Sequence, residues 1–157
     1  MSTITFIFTK SLLSPISWLT RWALPRSRFA LAFSSHVLIE DGEFMYEAIF
    51  PQGVRRISRK KALDGCTIVK TLTHTVPDKV AGMEWLRQQD GKRYDLKGAI
   101  GASINPNRNW SETDKWFCYE LAAGTLKASG LDVFAELSHI TEIPLMSLKA
   151  ERYIDKK

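Results

Sequence analysis

The chain has 157 residues, 45% of them hydrophobic and 25% charged, which are the proportions of a folded globule and exclude a disordered or fibrous chain. Its two cysteines, Cys66 and Cys118, are too few for a disulfide scaffold and indicate a reducing compartment, and with three dispersed histidines they offer no close ligand pair for zinc. The net charge of +5 and pI of about 9.3 favour an anionic neighbour: nucleic acid, a membrane surface or a cell-wall polymer.

Residues 1–157 fit one domain, with no repeat, linker or low-complexity tract. No apolar run is long enough to cross a bilayer. The opening MSTITFIFTK lacks a basic n-region, so a cleaved signal peptide is not expected. The expected location is cytoplasmic, and a substrate elsewhere would require delivery by another protein. Thr3 to Thr9 alternates, with Ile4, Phe6 and Phe8 on one face, and reads as a strand. Ser14-Pro15 opens a helical pattern through Leu12, Ile16, Leu19 and Ala23 that Pro25 ends. That helix reads as packed on the core, although Trp18 and Trp22 would suit a peripheral membrane contact through residues 11–24.

Two apolar runs flank Asp41-Gly42, a hairpin signal implying a two-residue turn. In that register Glu40 opposes Glu43, Ile39 opposes Phe44, Val37 opposes Tyr46 and His36 opposes Glu47, with partner numbers summing to 83. The Glu40–Glu43 opposition is mildly unfavourable, and a four-residue loop would leave the other pairs intact. Val54 to Ile57 and Cys66 to Leu72 read as strands, the second with Cys66 in the core beside Ile68. The basic run Arg55, Arg56, Arg59, Lys60 and Lys61 reads as a solvated face. A helix is expected from Pro77 to about Asp90, stopped by Gly91. Residues 91–110 read as loop, carrying Gly98, Gly101 and Asn105-Pro106-Asn107. Another helix covers roughly Trp116 to Ser129, with Ser111 and Asp114 both plausible as caps. A short terminal segment follows from Ile143-Pro144-Leu145. The expected class is α+β, with a small, mostly antiparallel sheet and the Cys118 helix packed on it.

A cysteine nucleophile needs a base that holds it as thiolate, and the base needs a partner that fixes its tautomer. The hairpin offers base and partner together, His36 opposite Glu47. The thiolate gains further support at a helix N-terminus, where amides and the helix dipole favour negative charge. Cys118 stands there if the helix begins near Trp116, and mid-helix if Ser111 is the cap. The bland reading of Cys118 is a core residue. His74 and His139 have no carboxylate placed by a comparable register.

Three stretches resemble a known family. Phe33-Ser-Ser-His36-Val-Leu-Ile39 with Asp41-Gly42 and Tyr46-Glu47-Ala48 resembles the histidine hairpin of permuted papain-like hydrolases. These are YiiX/YaeF-like relatives of the NlpC-type cell-wall peptidases and of lecithin:retinol acyltransferase. Gly91-Lys-Arg-Tyr94-Asp95 is similar to their G-x-x-Y-D segment, and Trp116-Phe-Cys118-Tyr-Glu120-Leu121 to their C-S-E-L cysteine helix. Phe8-Thr-Lys10 and Leu19-Thr-Arg-Trp22 resemble the strand and helix that precede the histidine in that group. The order of histidine, acid, cysteine is that of the circularly permuted fold. The resemblance implies Cys118 as nucleophile near the start of its helix, His36 as base and Glu47 as third member, with no cofactor or metal. It also implies that Tyr94 lines the substrate site, while Tyr119 stands where serine is common and would reshape the pocket. The implied activity is that of a cysteine amidase or peptidase on peptide or amide bonds, cell-wall peptide foremost. A lipid-directed acyltransferase or thioesterase of the same superfamily is the alternative. A non-catalytic basic binding module ranks last, because few aromatics interleave with the basic run and nothing marks a specific nucleic-acid partner. The sequence does not fix the oligomeric state.

Overall fold

A computed structural model describes residues 2–11, 36–104, 112, 114–134, 137, 140, 145 and 148. The expected helix over residues 12–25, with Trp18 and Trp22, lies outside the described residues, as do Asn105-Pro106-Asn107, Ser111, His139 and Ile143-Pro144.

The fold is α+β. Five antiparallel strands form one sheet in the order β4-β3-β2-β1-β5: β1 (Ser2–Ser11), β2 (His36–Asp41), β3 (Phe44–Ile49), β4 (Gly53–Ser58) and β5 (Cys66–Val76). Alternation decides their faces. Ile4, Phe6 and Phe8 of β1 join Val37 and Ile39 of β2 and Tyr46 and Ala48 of β3 in the main core. On the opposite face Ile7, Leu38 and Met45 pack with Ala62 of α1 (Arg59–Leu63), a short helix capped by the Ser58 hydroxyl. The main core is closed by α2 (Lys79–Gln88) and α4 (Cys118–Ala128) through Met83, Leu86, Leu121 and Leu126, each fully buried leucine contributing about 1.5–3 kcal/mol. The two helices approach closely because glycines face bulk. A Cβ at Gly82 would lie 1.8 Å from the Ser129 hydroxyl, and one at Gly124 would lie 2.4 Å from the Trp85 ring.

Several expectations need correction. The β2–β3 hairpin is slipped by two residues: Asp41 pairs with Phe44, Glu40 with Met45 and Ile39 with Tyr46, so partner numbers sum to 85. The turn residues are therefore Gly42 and Glu43, and only Gly42 has positive φ, at 63°. A turn that takes glycine at its first central position suits the twist of the strands. The slip also removes the Glu40–Glu43 opposition, and Glu40 pairs instead with Arg59. The basic run is not simply solvated: Arg55 bonds Glu47, and Arg56 bonds Asp41 at 3.0 Å while stacking on Phe44 at 3.7 Å. Cys66 is half-buried rather than core, because β5 lies at the end of the strand order and Thr67 to Thr71 are exposed. The expected loop over 91–110 contains a helix, α3 (Leu96–Ile104). Its start is held by buried Asp95, whose carboxylate accepts from the Gly98 amide at 2.6 Å, and Gly98 is required there because a Cβ would meet that carboxylate at 2.3 Å. The expected Trp116 helix starts two residues later, at Cys118, because Lys115–Trp116 forms a short strand, β7, parallel to β6 (Arg93–Tyr94).

Candidate active site

The site forms where the ends of β2 and β3 meet the start of α4. His36 opens β2 and Glu47 lies on β3, the neighbouring strand. Continuing the observed register would set Glu47 diagonal to His36, on the same face, within reach of long side chains. The contact is made: His36 Nε2 and Glu47 Oε2 are 2.8 Å apart. A two-residue slip preserves the parity of faces, so the expected His36–Glu47 proximity survives although the expected direct opposition does not.

Glu47 is 3% exposed and has a second partner. Arg55, directly across on β4, donates to Oε1 through Nε at 2.8 Å and Nη2 at 2.7 Å. Burial alone would raise the Glu47 carboxyl, but the hydrogen bond and charge of His36, and then of Arg55, outweigh it and hold the group below its ordinary range. Arg55 is the residue the sequence reading missed. Its signal was present: glycine at 53 begins the return strand, and pairing β3 to β4 sets an arginine against a buried glutamate.

Cys118 is the first residue of α4, beside the first-turn amides that a helix cannot satisfy internally. Phe117, the cap, makes no side-chain capping bond to that turn. Cys118 is 6% exposed and its thiol hydrogen-bonds His36. With Nε2 engaged by Glu47, Nδ1 is the nitrogen left to the thiol. Burial pulls the His36 imidazole down, but hydrogen bonds to Cys118 and Glu47 and the charges of both prevail and hold it up at about 10. The ring is therefore cationic across the neutral range.

Tyr94 reaches the same place. The β6–β7 pairing sets it beside Trp116, two residues ahead of Cys118. Its hydroxyl is pushed up by burial and by the neighbouring Cys118 and Asp95, so it remains a hydrogen-bond donor. Tyr119 is half-buried and packs on the main core. Asp95 does not serve the imidazole: its oxygens accept from the amides of Gly98 and Glu112, at 2.6 and 3.0 Å. The support beneath is polar and specific. The Trp116 indole donates to Gln89 at 3.0 Å, and Gln89 donates in turn to the Trp85 carbonyl at 2.8 Å. Val54 and Gly91 exchange bonds with the strand edge, Val54 N–H to Lys92 O at 2.8 Å and Gly91 N–H to Val54 O at 2.9 Å, tying β4 to the Tyr94 segment.

Such a constellation can hold a thiolate beside an imidazolium, present that thiolate at a helix start, and keep the imidazole in one orientation. Comparison with protein-family models, curated proteins and solved structures gives no match. No described helix is long and apolar enough to cross a membrane.

Proposed function

We propose that this chain is a thiol-dependent hydrolase with a circularly permuted papain-like organisation, cleaving amide or peptide bonds. The carrying observation is that Cys118, at the first residue of α4, hydrogen-bonds an imidazole whose far nitrogen is held by buried Glu47. In this reading the Cys118 thiolate attacks the carbonyl carbon. The amides of the first turn of α4, with the Tyr94 hydroxyl as a further donor, bear the oxyanion. His36 gives its proton to the leaving amine, and water then releases the acyl group. Glu47 orients the ring and favours its charged form, and Arg55 keeps Glu47 ionised. The basic surface and the chain order of histidine, acid and cysteine support cell-wall peptide as substrate class.

The test compares the two thiols. Cys118 should react with iodoacetamide far faster than Cys66, which has no hydrogen-bonded base among the described residues. Mass analysis after partial labelling should find the adduct on Cys118. Slow, equal labelling of both cysteines in the folded protein would remove the case for a catalytic Cys118. A fast thiol should then release amide fragments from cell-wall peptide stems, and Cys118→Ala should not.

A further inference from the structure

The β1–β2 register sets Thr9 directly across from His36. Opposed residues of an antiparallel pair share a face, with Cβ atoms roughly 4.5–5.5 Å apart. With Glu47 across from Arg55, the end of the sheet carries a row of four polar side chains from four adjacent strands: Thr9, His36, Glu47 and Arg55. Three of them are joined by hydrogen bonds. Thr9 is fully buried, and its hydroxyl has no hydrogen-bond partner among the described residues.

Burying a hydroxyl without a partner is unfavourable, and valine would fill the same strand position with the same branched shape and nothing to satisfy. Such a hydroxyl is open to a partner that arrives during the reaction. Ring geometry says where. Nε2 of His36 is turned toward Glu47 on β3, and the opposite edge of an imidazole is the Cγ–Nδ1 bond. Nδ1 is thus the ring nitrogen not taken by Glu47, on the residue that Thr9 opposes from β1.

Building on the hydrolase reading, we propose that Thr9 holds the attacking water at Nδ1 of His36 during release of the acyl-enzyme. The water would donate one proton toward Nδ1 and the other to Thr9 Oγ1, aiming a lone pair at the acyl carbon. Its oxygen bonds that carbon and one proton passes to Nδ1. The carbon–Sγ bond then breaks with its electron pair returning to Cys118 as thiolate. The acid product leaves and loses its proton to solvent. Thr9 would act in this half of the cycle and not in attack by the thiolate.

The test uses p-nitrophenyl acetate to load an acetyl group on Cys118. Excess ester is removed, and loss of the acetyl group is followed by intact mass. Thr9→Val should lose it about tenfold more slowly than the wild type, the effect of one missing hydrogen bond. Its loading rate should change far less, and Thr9→Ser should restore release. Equal slowing of loading and release in Thr9→Val would overturn the assignment, as would release at the wild-type rate. Should the wild type acquire no acetyl group beyond Cys118→Ala, the hydrolase reading fails and Thr9 loses its role with it. A wild type that loads and releases beside an unaffected Thr9→Val would sink Thr9 alone.

Discussion

Strand β1 has a histidine across from each of its ends. His36 faces Thr9 from β2, and His74 faces Ile4 from β5. His74 is 4% exposed with its ring 5.6 Å from that of Phe6, and burial alone depresses it below its ordinary value. His36 feels a burial penalty too, yet a thiol and a carboxylate lift it to about 10. One sheet thus makes a neutral imidazole at one end and a cationic one at the other. The difference lies in hydrogen-bonded charge and not in depth.

The largest effects should come from dismantling the cationic end. Cys118→Ala should reduce hydrolysis of an activated ester to background, a loss on the order of 10³–10⁴-fold or more, and His36→Ala should come close to it. Glu47→Gln should be milder, because the amide keeps a hydrogen bond to the ring but not the charge. The alkaline limb of amide hydrolysis, where His36 loses the proton it gives to the leaving amine, should then move to lower pH. In a pair acting as a unit, His36→Ala with Glu47→Gln should be scarcely worse than His36→Ala alone. Losses that multiply would detach Glu47 from His36.

Arg55→Met comes next. It leaves one oxygen of buried Glu47 without its partner and should destabilise the fold by about 1–3 kcal/mol in urea titration. The stabilisation from Glu47 is present above the unfolded value of 4.5 and lost as pH falls through its lowered folded value. In Arg55→Met that acid loss should begin at higher pH, and an unchanged acid profile would deny Arg55 its role.

The smallest effect is the control at the other end. His36, raised from 6.5 to about 10, contributes stability that is full below pH 6.5 and lost as pH climbs toward 10. His74, lowered from 6.5, contributes in the opposite sense: present above 6.5 and lost as pH falls through its depressed value. In thermal melts across pH, His74→Phe should relieve the acid-side loss and leave Cys118 labelling unchanged. A change in labelling would mean that the two ends are coupled through β1.

How much of this the sequence disclosed follows from the range of the forces. Alternation in Thr3 to Thr9 marked β1 and its core face, because a period of two needs only neighbours. The His36–Glu47 approach was legible for a similar reason: any register that respects the buried face changes in steps of two, and each step keeps both side chains on one side. The choice between two such registers was not legible. It turns on whether Asp41 or Glu43 joins Gly42 in the turn, and on an Arg59 that draws Glu40 away. Arg55 was hidden because its partner lies on another strand. The exposure of Ile68 and Val69 comes from the place of β5 at the end of the strand order, and apolar composition carries no information about that. Helix α3 was obscured by Gly98, which reads locally as a breaker and in the fold makes room for the Asp95 carboxylate.

The tight seating of α4 on α2 has an evolutionary consequence. With the Trp85 ring 2.4 Å from where a Cβ at Gly124 would stand, position 124 cannot gain a side chain while that ring is in place. A side chain gained at 124 would push α4 off its seat and carry Cys118, at the head of the same helix, away from His36. Substitutions at 85 and 124 should therefore be correlated among relatives of this chain, a residue larger than glycine at 124 occurring only with a residue smaller than tryptophan at 85. A relative that keeps the tryptophan and bears a branched side chain at 124 would refute the coupling. Until the residue at 85 shrinks, lineages of this chain should keep glycine at 124, whatever substrates they come to use.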